Sequence, residues 1–467
     1  MADFDFDLFV IGGGSGGVRA ARFAAQRGAR VALAESGRMG GTCVNVGCIP
    51  KKLYSYGAHY AEAFEESRGY GWQLPGAPQL DWATLKARRE QEITRLNGIY
   101  EGLMTGAKVQ RLHGHGRLEG QQVVAVTAAD GSVSRHRARH ILIATGGTPV
   151  RPSLPGHELV VTSDDMFDLP VFPRRLVVVG GGYIGCEMAS IFHGLGARVT
   201  LLYRGEQILR GFDDEVRDFT AEELRKAGID LRVRTEVTRI DAAPDGTRAL
   251  TLADGATLHA DVVLYAVGRR PNVAALGLDA AGVRLNEHGA IPVDPHFATN
   301  VPGIFALGDV RGGLELTPVA LAEAMALVDH LFGPLPGQAR RAMDYEHIPT
   351  AVFTHPPIGT VGLTEAQARA RHGAIRVYRS DFRPLKHTLS GRGERTLVAL
   401  IVDAAPSVTA LGAWIAVVRL TPARCYFPDF RDLIHSSSAD PPDCCAGDSG
   451  ASGLFVTSAL VIGSAPR

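Results

Sequence analysis

Two cysteines lie close together in the stretch GGTCVNVGCIPKK, residues 40–52, and two lysines follow them. Cys43 and Cys48 are five positions apart in a chain of 467 residues that has only six cysteines. So few cysteines do not make a disulfide scaffold, so a close pair is redox-active, metal-binding or simply two buried thiols. Zinc needs further ligands at matched spacing, and no second pair or Cys/His cluster follows nearby. We therefore predict no metal site here.

A predicted βαβ unit, residues 5–36, directly precedes the cysteines. The strand DLFVIGGG runs into the helix SGGVRAARFAAQRG, and a second strand ends in Glu35. Glycines in the pattern G-x-G-x-x-G permit a tight turn and a close approach to a pyrophosphate, and the helix N-terminus attracts its charge. Glu35 is placed to accept a hydrogen bond from a ribose hydroxyl. The unit predicts a dinucleotide site, and its patterned glycines are Gly12, Gly14 and Gly17.

The same unit recurs in residues 174–204, with Gly180, Gly182 and Gly185 in the same pattern. Its second strand ends in Tyr203-Arg204 instead of an acid, and Arg210 follows soon after. An acid there holds a free 2′-hydroxyl, whereas arginines suit a 2′-phosphate. The second site is therefore predicted to prefer NADP, unless both arginines are only solvated surface charges.

Two dinucleotide sites in one chain indicate electron transfer between cofactors, and a flavin beside NADPH is the economical pairing. The stretches HILIATGGTP (140–149) and GIFALGDV (303–310) each predict a buried strand followed by a turn, and the second places Asp309 where it can bind a chain of hydroxyls. A disulfide stacked on a flavin accepts two electrons. One thiolate then attacks an external disulfide, and the other resolves the mixed disulfide.

The predicted fold class is α/β, with two Rossmann-like dinucleotide-binding domains and a C-terminal α+β interface domain. The second unit is inserted in the first, and alternating strands after about residue 340 predict the antiparallel last domain. The expected ranges are 1–150 for the first part of the FAD-binding domain, 151–272 for the NADP-binding domain, 273–339 for the second FAD-binding or central part, and 340–467 for the C-terminal domain, atypical from about 405.

Composition excludes several other classes of function. Positive and negative side chains balance at 49 each, so no basic excess indicates nucleic acid or an anionic membrane. The N-terminus resembles a strand entering a glycine turn more than a signal peptide, and no segment is long and apolar enough to span a bilayer. We expect a cytoplasmic protein.

These motifs together resemble the class I pyridine nucleotide-disulfide oxidoreductases. The resemblance rests on the cysteine stretch, both glycine patterns, ATGG, ALGDV and THPPIGTVGLTE, and it runs from residue 5 to about 403. Within the family, the sequence most resembles the glutathione reductases, because lipoamide dehydrogenases usually carry an acid at the position of Arg204. The resemblance implies a homodimer that uses FAD and NADPH to reduce glutathione disulfide.

The resemblance also assigns roles to residues. Cys48 is the thiol next to the flavin, Cys43 attacks glutathione disulfide, Lys51 pairs with Glu187 near the flavin, and Tyr183 covers it. The implied FAD contacts are Gly12, Gly14, Ser15, Gly16, Gly17, Glu35, Thr42, Gly116, Thr145, Gly146, Asp309 and Thr317. The implied NADP contacts are Gly180, Gly181, Gly182, Ile184, Gly185, Arg204, Arg210 and Gly268. The implied glutathione contacts are Ser15, Arg22 and Tyr100.

The sequence departs from the family in two places. Met325 occupies the position of an arginine that contacts glutathione, so weaker carboxylate binding or a compensating basic residue is expected. After about residue 404 the family's catalytic His-Pro and paired glutamates are absent, and a reading-frame change near residue 405 is one interpretation. Two alternatives stay open: a relay through Cys444-Cys445, as in mercuric or large thioredoxin reductases, and a catalytically defective flavoprotein.

Overall fold

The computed structural model describes residues 4–404 and 410–416. The first part of the chain alternates strands and helices, as the βαβ pattern predicts. Its elements are β1 (Phe6–Ile11), α1 (Ser15–Gln26), β2 (Val31–Glu35), α2 (Gly41–Asn45), α3 (Cys48–Ser67), α4 (Trp82–Gly106), β3 (Gln110–His113), β4 (His115–Leu118), β5 (Val123–Thr127), β6 (Val133–Ile143) and β7 (Gly147–Pro149).

The strands of this part form a sheet in the order β3-β2-β1-β6-β5-β4. β1 lies parallel to both β2 and β6, whereas β4 and β5 add antiparallel pairs at one edge. Successive side chains of a strand point to opposite faces of the sheet. Leu8 and Val10 therefore pack on the side of α1, and Phe9 and Ile11 pack on the other. All four are buried, which explains the nearly continuous apolar run of β1.

The inserted second unit repeats this architecture. Its elements are β8 (Arg175–Val179), α5 (Tyr183–Gly194), β9 (Arg198–Leu202), α6 (Asp214–Ala227), β10 (Asp230–Arg232), β11 (Val237–Ala242), β12 (Arg248–Leu252), β13 (Thr257–Ala260), β14 (Val262–Tyr265) and β15 (Arg269–Pro271). A parallel sheet runs in the order β10-β9-β8-β14, and β11, β12 and β13 form an antiparallel meander.

The segment that enters the second unit lies beside the segment that leaves it. β7 and β15 form a two-stranded antiparallel ribbon in which Gly147 lies opposite Pro271. The predicted domain boundaries at 150 and 272 lie next to this ribbon and stay predictions.

The chain then returns to the first sheet. Its elements here are α7 (Leu278–Ala281), β16 (Ile304–Ala306) and α8 (Thr317–Phe332). β16 lies parallel to β6 and completes a seven-stranded sheet, and α8 packs directly against α1. The two stretches predicted as strand and turn, 140–149 and 303–310, are therefore neighbours, although about 160 residues separate them.

The last described region is antiparallel, as predicted. Its elements are β17 (Thr350–Val352), β18 (Ile358–Gly362), α9 (Glu365–His372), β19 (Ile375–Phe382), α10 (Lys386–Ser390), β20 (Thr396–Asp403) and β21 (Ala410–Ala416). The sheet order is β17-β18-β21-β20-β19, so β21 is a central strand. Thr364 and Gln367 form a capping box that begins α9. The predicted fold class is confirmed.

Within the described ranges, no helix combines the length and the apolar character that crossing a membrane requires. Cys425, Cys444 and Cys445, on which the relay alternative depends, lie outside the described residues.

Candidate active site

The two cysteines lie in consecutive helices. Cys43 is in the short helix α2, and Cys48 is the first residue of the 20-residue helix α3. Both are free thiols, and Cys43 is within hydrogen-bonding reach of Cys48. Thr317, the first residue of α8, places its Oγ1 3.8 Å from the Sγ of Cys48. The tertiary fold thus brings the start of α8 to the thiol pair.

The two thiols have opposite acidities. The hydrogen bond from Cys43, together with the Lys51 ammonium, lowers the pKa of Cys48 from 9.0 to about 6. The same hydrogen bond and burial raise the pKa of Cys43. Cys48 also begins α3, where the free N–H groups and the helix dipole favour a negative charge. The reduced pair therefore holds its thiolate on Cys48 and its proton on Cys43.

A buried ion pair lies behind the thiols. Lys51, one turn along α3, donates from Nζ to the Oε1 of Glu187 over 2.8 Å. Glu187 is on α5 and is only 2% exposed, and it also accepts a hydrogen bond from the backbone N–H of Phe353 at 2.8 Å. The Phe353 ring lies 4.3 Å from the Lys51 ammonium and 3.6 Å from that of Lys52. Two distant regions of the chain, α5 and the segment after β17, therefore hold this lysine in place.

Tyr183, the first residue of α5, lies close to this pair. Burial, with the Glu187 carboxylate nearby, raises the pKa of Tyr183 well above its ordinary value, so its phenol stays neutral. Burial also raises the pKa of Asp309, and Arg269 opposes this shift. Asp309 lies in a 3₁₀ turn, Gly308–Arg311, right after β16. A half-buried carboxylate of this kind suits the hydroxyl groups of a ribityl chain.

The first glycine turn has the geometry of a phosphate cradle. Gly12 has φ +108°, and a Cβ on Gly17 would lie 1.9 Å from the Gly12 carbonyl oxygen. Only glycine therefore allows α1 to pack this close to β1. The Glu35 carboxylate caps the turn, accepting from Gly13 N at 2.6 Å and from Gly37 N at 2.7 Å. Gly14 and Ser15 begin α1, and Gly16 is buried within it.

Other predicted FAD residues surround this turn. Thr145 donates to the Asn272 carbonyl at 2.7 Å, and Gly146 accepts from Asn272 N at 2.9 Å. These bonds join the segment that enters the second unit to the segment that leaves it. A Cβ on Gly116 in β4 would lie 3.2 Å from Ile11, so the chain passes close by. Thr42 is exposed on α2 next to Cys43. Thr317 makes no side-chain cap to α8, so its contact with Cys48 is its more informative feature.

The second glycine turn is built like the first. A Cβ on Gly185 would lie 2.0 Å from the Gly180 carbonyl oxygen, and Gly182 precedes α5. The backbone N–H of Leu209 donates to the Gly181 carbonyl at 2.6 Å, and a Cβ on Gly181 would touch the Tyr203 ring. Arg204 follows Tyr203 and Arg210 follows Leu209, and both arginines are exposed. Ile184 lies in α5, and Gly268, with φ +136°, precedes β15.

The predicted substrate residues lie on α1 and α4. Burial raises the pKa of Tyr100, and the nearby thiols Cys43 and Cys48 add to the shift. Ser15 and Arg22 are two turns apart on α1, and the Arg22 guanidinium lies 5.4 Å from the Phe23 ring. Met325 is buried in α8, among apolar neighbours.

Two contributors escaped the sequence-based predictions. Phe353 orders Glu187 and Lys51, although only its place just before THPPIGTVG could have indicated it. Arg234 donates its backbone N–H to the Gly205 carbonyl and pairs with Glu206 at 3.0 Å, so a further cation lies beside Arg204. The sequence carries no signal for this contact, because about 30 residues separate the two segments.

The chain is similar to known proteins along most of its length. Residues 6–324 match the pyridine nucleotide-disulphide oxidoreductase family model, and residues 348–416 match the dimerisation domain of the same family. A glutathione reductase of Burkholderia cepacia is 49% identical over 403 residues, covering 86% of this chain and 87% of the relative. The chloroplastic/mitochondrial glutathione reductase of Pisum sativum is 43% identical, covering 87% and 74%. A trypanothione reductase of Trypanosoma congolense is 40% identical, covering 87% and 86%.

Proposed function

Because the chain belongs to the pyridine nucleotide-disulphide oxidoreductase family, we propose that it reduces glutathione disulfide to glutathione with NADPH, using FAD and the Cys43–Cys48 pair. The observation that carries the proposal is the thiol pair at the start of α3, with a thiolate on Cys48 and the Lys51–Glu187 ion pair behind it. The chain also has two glycine turns, each of which is shaped for a dinucleotide.

The residues present fit both cofactors. Gly12 and Gly17 leave room for a pyrophosphate at the start of α1, and Asp309 offers a carboxylate to ribityl hydroxyls. Gly180 and Gly185 repeat this room at α5, and the exposed Arg204 and Arg210 suit a 2′-phosphate. When bound, FAD carries two electrons from NADPH to the cysteine pair. Tyr183 would cover the cofactor site with a neutral phenol, and Lys51 would place a positive charge beside it.

The thiol chemistry then balances within the chain. The Cys43 sulfur attacks one sulfur of glutathione disulfide, forms a mixed disulfide and releases one glutathione thiolate. The Cys48 thiolate attacks the Cys43 sulfur, restores the Cys43–Cys48 disulfide and releases the second glutathione. Cys43 must lose its proton for the first attack. Its raised pKa therefore requires a base, which the family supplies from a C-terminal histidine that this sequence lacks.

Substrate binding is assigned to Ser15, Arg22 and Tyr100, and we propose that Arg22 receives a glutathione carboxylate. The buried Met325 cannot supply the second positive charge that the family has there. The KM for glutathione disulfide is consequently expected to be higher than in relatives that keep the arginine, whereas the KM for NADPH should be similar.

We also propose the predicted four-part domain division, a cytoplasmic location and a homodimer. Residues 348–416 match the dimerisation domain, and two exposed aromatic rings, Tyr60 and Phe64, lie one turn apart on α3 with centroids 6.4 Å apart. Exposed aromatic pairs of this kind are enriched at interfaces. Light scattering of the purified chain tests the dimer, and cell fractionation tests the location.

Anaerobic titration with NADPH, followed by glutathione disulfide, tests the function. The first equivalent of NADPH is expected to release two new thiols per chain, and a second equivalent to bleach the flavin absorbance. Cys43→Ser and Cys48→Ser should abolish the thiol release and leave the bleaching. Glutathione disulfide should then reoxidise both groups, far more slowly than in a complete enzyme, because general acid–base help is worth about 10²–10⁴-fold. Failure of the first step removes the proposal, and failure of the second alone favours a defective flavoprotein. Loss of turnover in a Cys444→Ser/Cys445→Ser variant would favour the relay.

A further inference from the structure

Three potential metal ligands meet far along α3 from the thiols. His59 and Glu62 are one turn apart on this helix, and His355 comes from the segment between β17 and β18. His59 lies 11 residues after Cys48, which is about 16 Å along the helix axis. One ligand atom from each of the three side chains lies within 4.8 Å of the other two. We call these residues the His59–Glu62–His355 cluster.

Both imidazole rings of the cluster contact the Glu62 carboxylate. The Nδ1 of His355 lies 3.0 Å from Glu62 Oε1, and the Nδ1 of His59 lies 3.4 Å from Glu62 Oε2. The two imidazole rings are stacked, with centroids 4.0 Å apart and planes at 17°. Both rings therefore present the same nitrogen to a single carboxylate.

Burial divides the cluster into a deep ligand and two accessible ones. The side chain of His355 is 7% exposed, that of Glu62 20% and that of His59 35%. An ion can therefore enter from solvent, and a water molecule can complete its coordination.

Two imidazole nitrogens and one carboxylate are a set that zinc uses when it keeps a fourth position open. Tetrahedral bonds of about 2.0–2.2 Å need ligand atoms roughly 3.4 Å apart, close to the nitrogen–oxygen separations of 3.0 Å and 3.4 Å. Stacked rings direct their Nδ1 lone pairs nearly parallel, so the accessible His59 ring must turn out of the stack for both nitrogens to reach one ion. We propose that His59, Glu62 and His355 form a Zn²⁺ site with water as the fourth ligand. The site involves no electron transfer and is independent of the proposed reductase function.

Arg392 is the main competitor for this site. Its Nη2 lies 3.0 Å from Glu62 Oε1, so a bound cation must displace it. Arg392 keeps two other partners when that happens, because Glu394 Oε2 is 3.3 Å away and Glu66 Oε1 is 3.8 Å from its Nε. The displaced guanidinium therefore keeps two neighbouring carboxyl groups, and its removal should strengthen metal binding.

The zinc ion would join α3 to the C-terminal sheet region. His355 follows Phe353 by two residues, and Phe353 contacts Glu187 and Lys51 near the thiols. A bound ion stabilises the folded state through the free energy of binding, so zinc should raise the melting temperature of the chain.

Zinc binding to the oxidised, FAD-loaded full-length chain tests the proposal, with calorimetry for affinity and equilibrium dialysis with elemental analysis for stoichiometry. His59→Gln removes the most exposed of the three ligands, so it should disturb the fold little. His355→Gln removes the buried ligand and should lose zinc in the same way. His296→Gln is the matched control, because His296 stacks on His330 at 4.4 Å and 11° but belongs to no three-ligand cluster in the described part of the chain. None of these variants changes a cysteine, so any zinc that thiols bind is the same in all of them.

His59→Gln is expected to bind one equivalent of zinc fewer than the parent, or to bind it at least about 10-fold more weakly. His296→Gln should bind zinc with the stoichiometry and affinity of the parent. Arg392→Met is expected to bind zinc more tightly than the parent. Zinc should raise the melting temperature of the parent and leave that of His59→Gln unchanged. Equal binding by the parent and His59→Gln, or equal losses in His59→Gln and His296→Gln, would overturn the proposal.

Discussion

Replacing Lys51 with glutamine should make Cys48 less acidic. The Lys51 ammonium is the second of the two main contributions that lower the pKa of Cys48 to about 6, after the hydrogen bond from Cys43. The replacement also leaves the buried Glu187 carboxylate without its ammonium partner, and that carboxylate raises the pKa of Cys48. Both changes act in the same direction, against the thiolate.

The size of the effect follows from the geometry. An opposite charge within a few ångströms typically lowers a pKa by about 1–3 units. Cys48 is exposed at its helix end, so solvent screens part of this effect, and we take a rise of about 1 unit. The thiolate fraction at pH 7 then falls from about 90% to about 50%. In the double variant Lys51→Gln/Glu187→Gln the pKa of Cys48 should lie between those of Lys51→Gln and the parent, because the unpaired carboxylate is gone.

The pH dependence of alkylation measures this pKa. The reduced chain is treated with iodoacetamide between pH 4 and 10, and the Cys48 peptide is quantified by mass spectrometry, which separates it from the other thiols. The rate rises with pH as the thiolate forms, so its midpoint reports the pKa of Cys48. The pKa of Cys43 lies higher and does not interfere at low pH.

Lys52→Gln is the matched control. Lys52 is the next residue and lies over the same Phe353 ring at 3.6 Å, but its charge is not among the main causes of the Cys48 shift. Its midpoint should stay within about 0.3 units of the parent. An unchanged midpoint in Lys51→Gln, or equal shifts in both single variants, would refute the electrostatic role of Lys51.

Three further outcomes follow from buried groups. Glu323→Gln should weaken FAD binding and lower the free energy of unfolding by about 3–5 kcal/mol, because Glu323 is fully buried and accepts from Gly308 N and from Arg311; flavin fluorescence and urea unfolding measure both. Gly17→Ala should abolish FAD binding, since its Cβ would lie 1.9 Å from a carbonyl oxygen, and the flavin content after purification measures this. Burial raises the pKa of Glu394 from 4.5 to about 7, so its contribution to stability is present below pH 4.5 and is lost as the pH rises through 7; Glu394→Gln should therefore be more stable than the parent at pH 8 but not at pH 4 in urea unfolding.

Controls for these variants come from exposed or open positions. Glu287→Gln changes an exposed carboxylate and should leave both FAD affinity and stability unaltered. Gly98→Ala changes a glycine of α4 whose Cβ would meet nothing within 4 Å, so it should be tolerated or slightly stabilising. FAD retained by Gly17→Ala, or a stability difference in Glu394→Gln that does not vary with pH, would contradict the respective argument.

Local patterns predicted much of the fold. Each βαβ unit carries its own apolar strands, glycine turn and helix within about 30 residues, so the periodicity of the sequence indicates the elements directly. The alternating strands after about residue 340 were predicted for the same reason. The β7–β15 ribbon and the pairing of β16 with β6 were not, because these pairs join residues more than 100 positions apart.

The candidate site divides in the same way. The spacing of Cys43, Cys48 and Lys51 is local, so their proximity could be read from the sequence. The second partner of Glu187, the backbone of Phe353, could not, because no local pattern specifies which loop packs against α5. The contact between Thr317 and Cys48 likewise depends on how α8 packs against α1.

The sequence by itself determined the chemistry of the protein: two thiols at fixed spacing, two glycine turns and the charges that follow the second turn. These features depend on residue types within one or two turns of the chain. Only the tertiary structure decided which cysteine holds the thiolate, because that depends on a hydrogen bond and a lysine held by a distant carboxylate. It also brought His355 to His59 and Glu62 across nearly 300 residues, a cluster that no spacing in the sequence predicts.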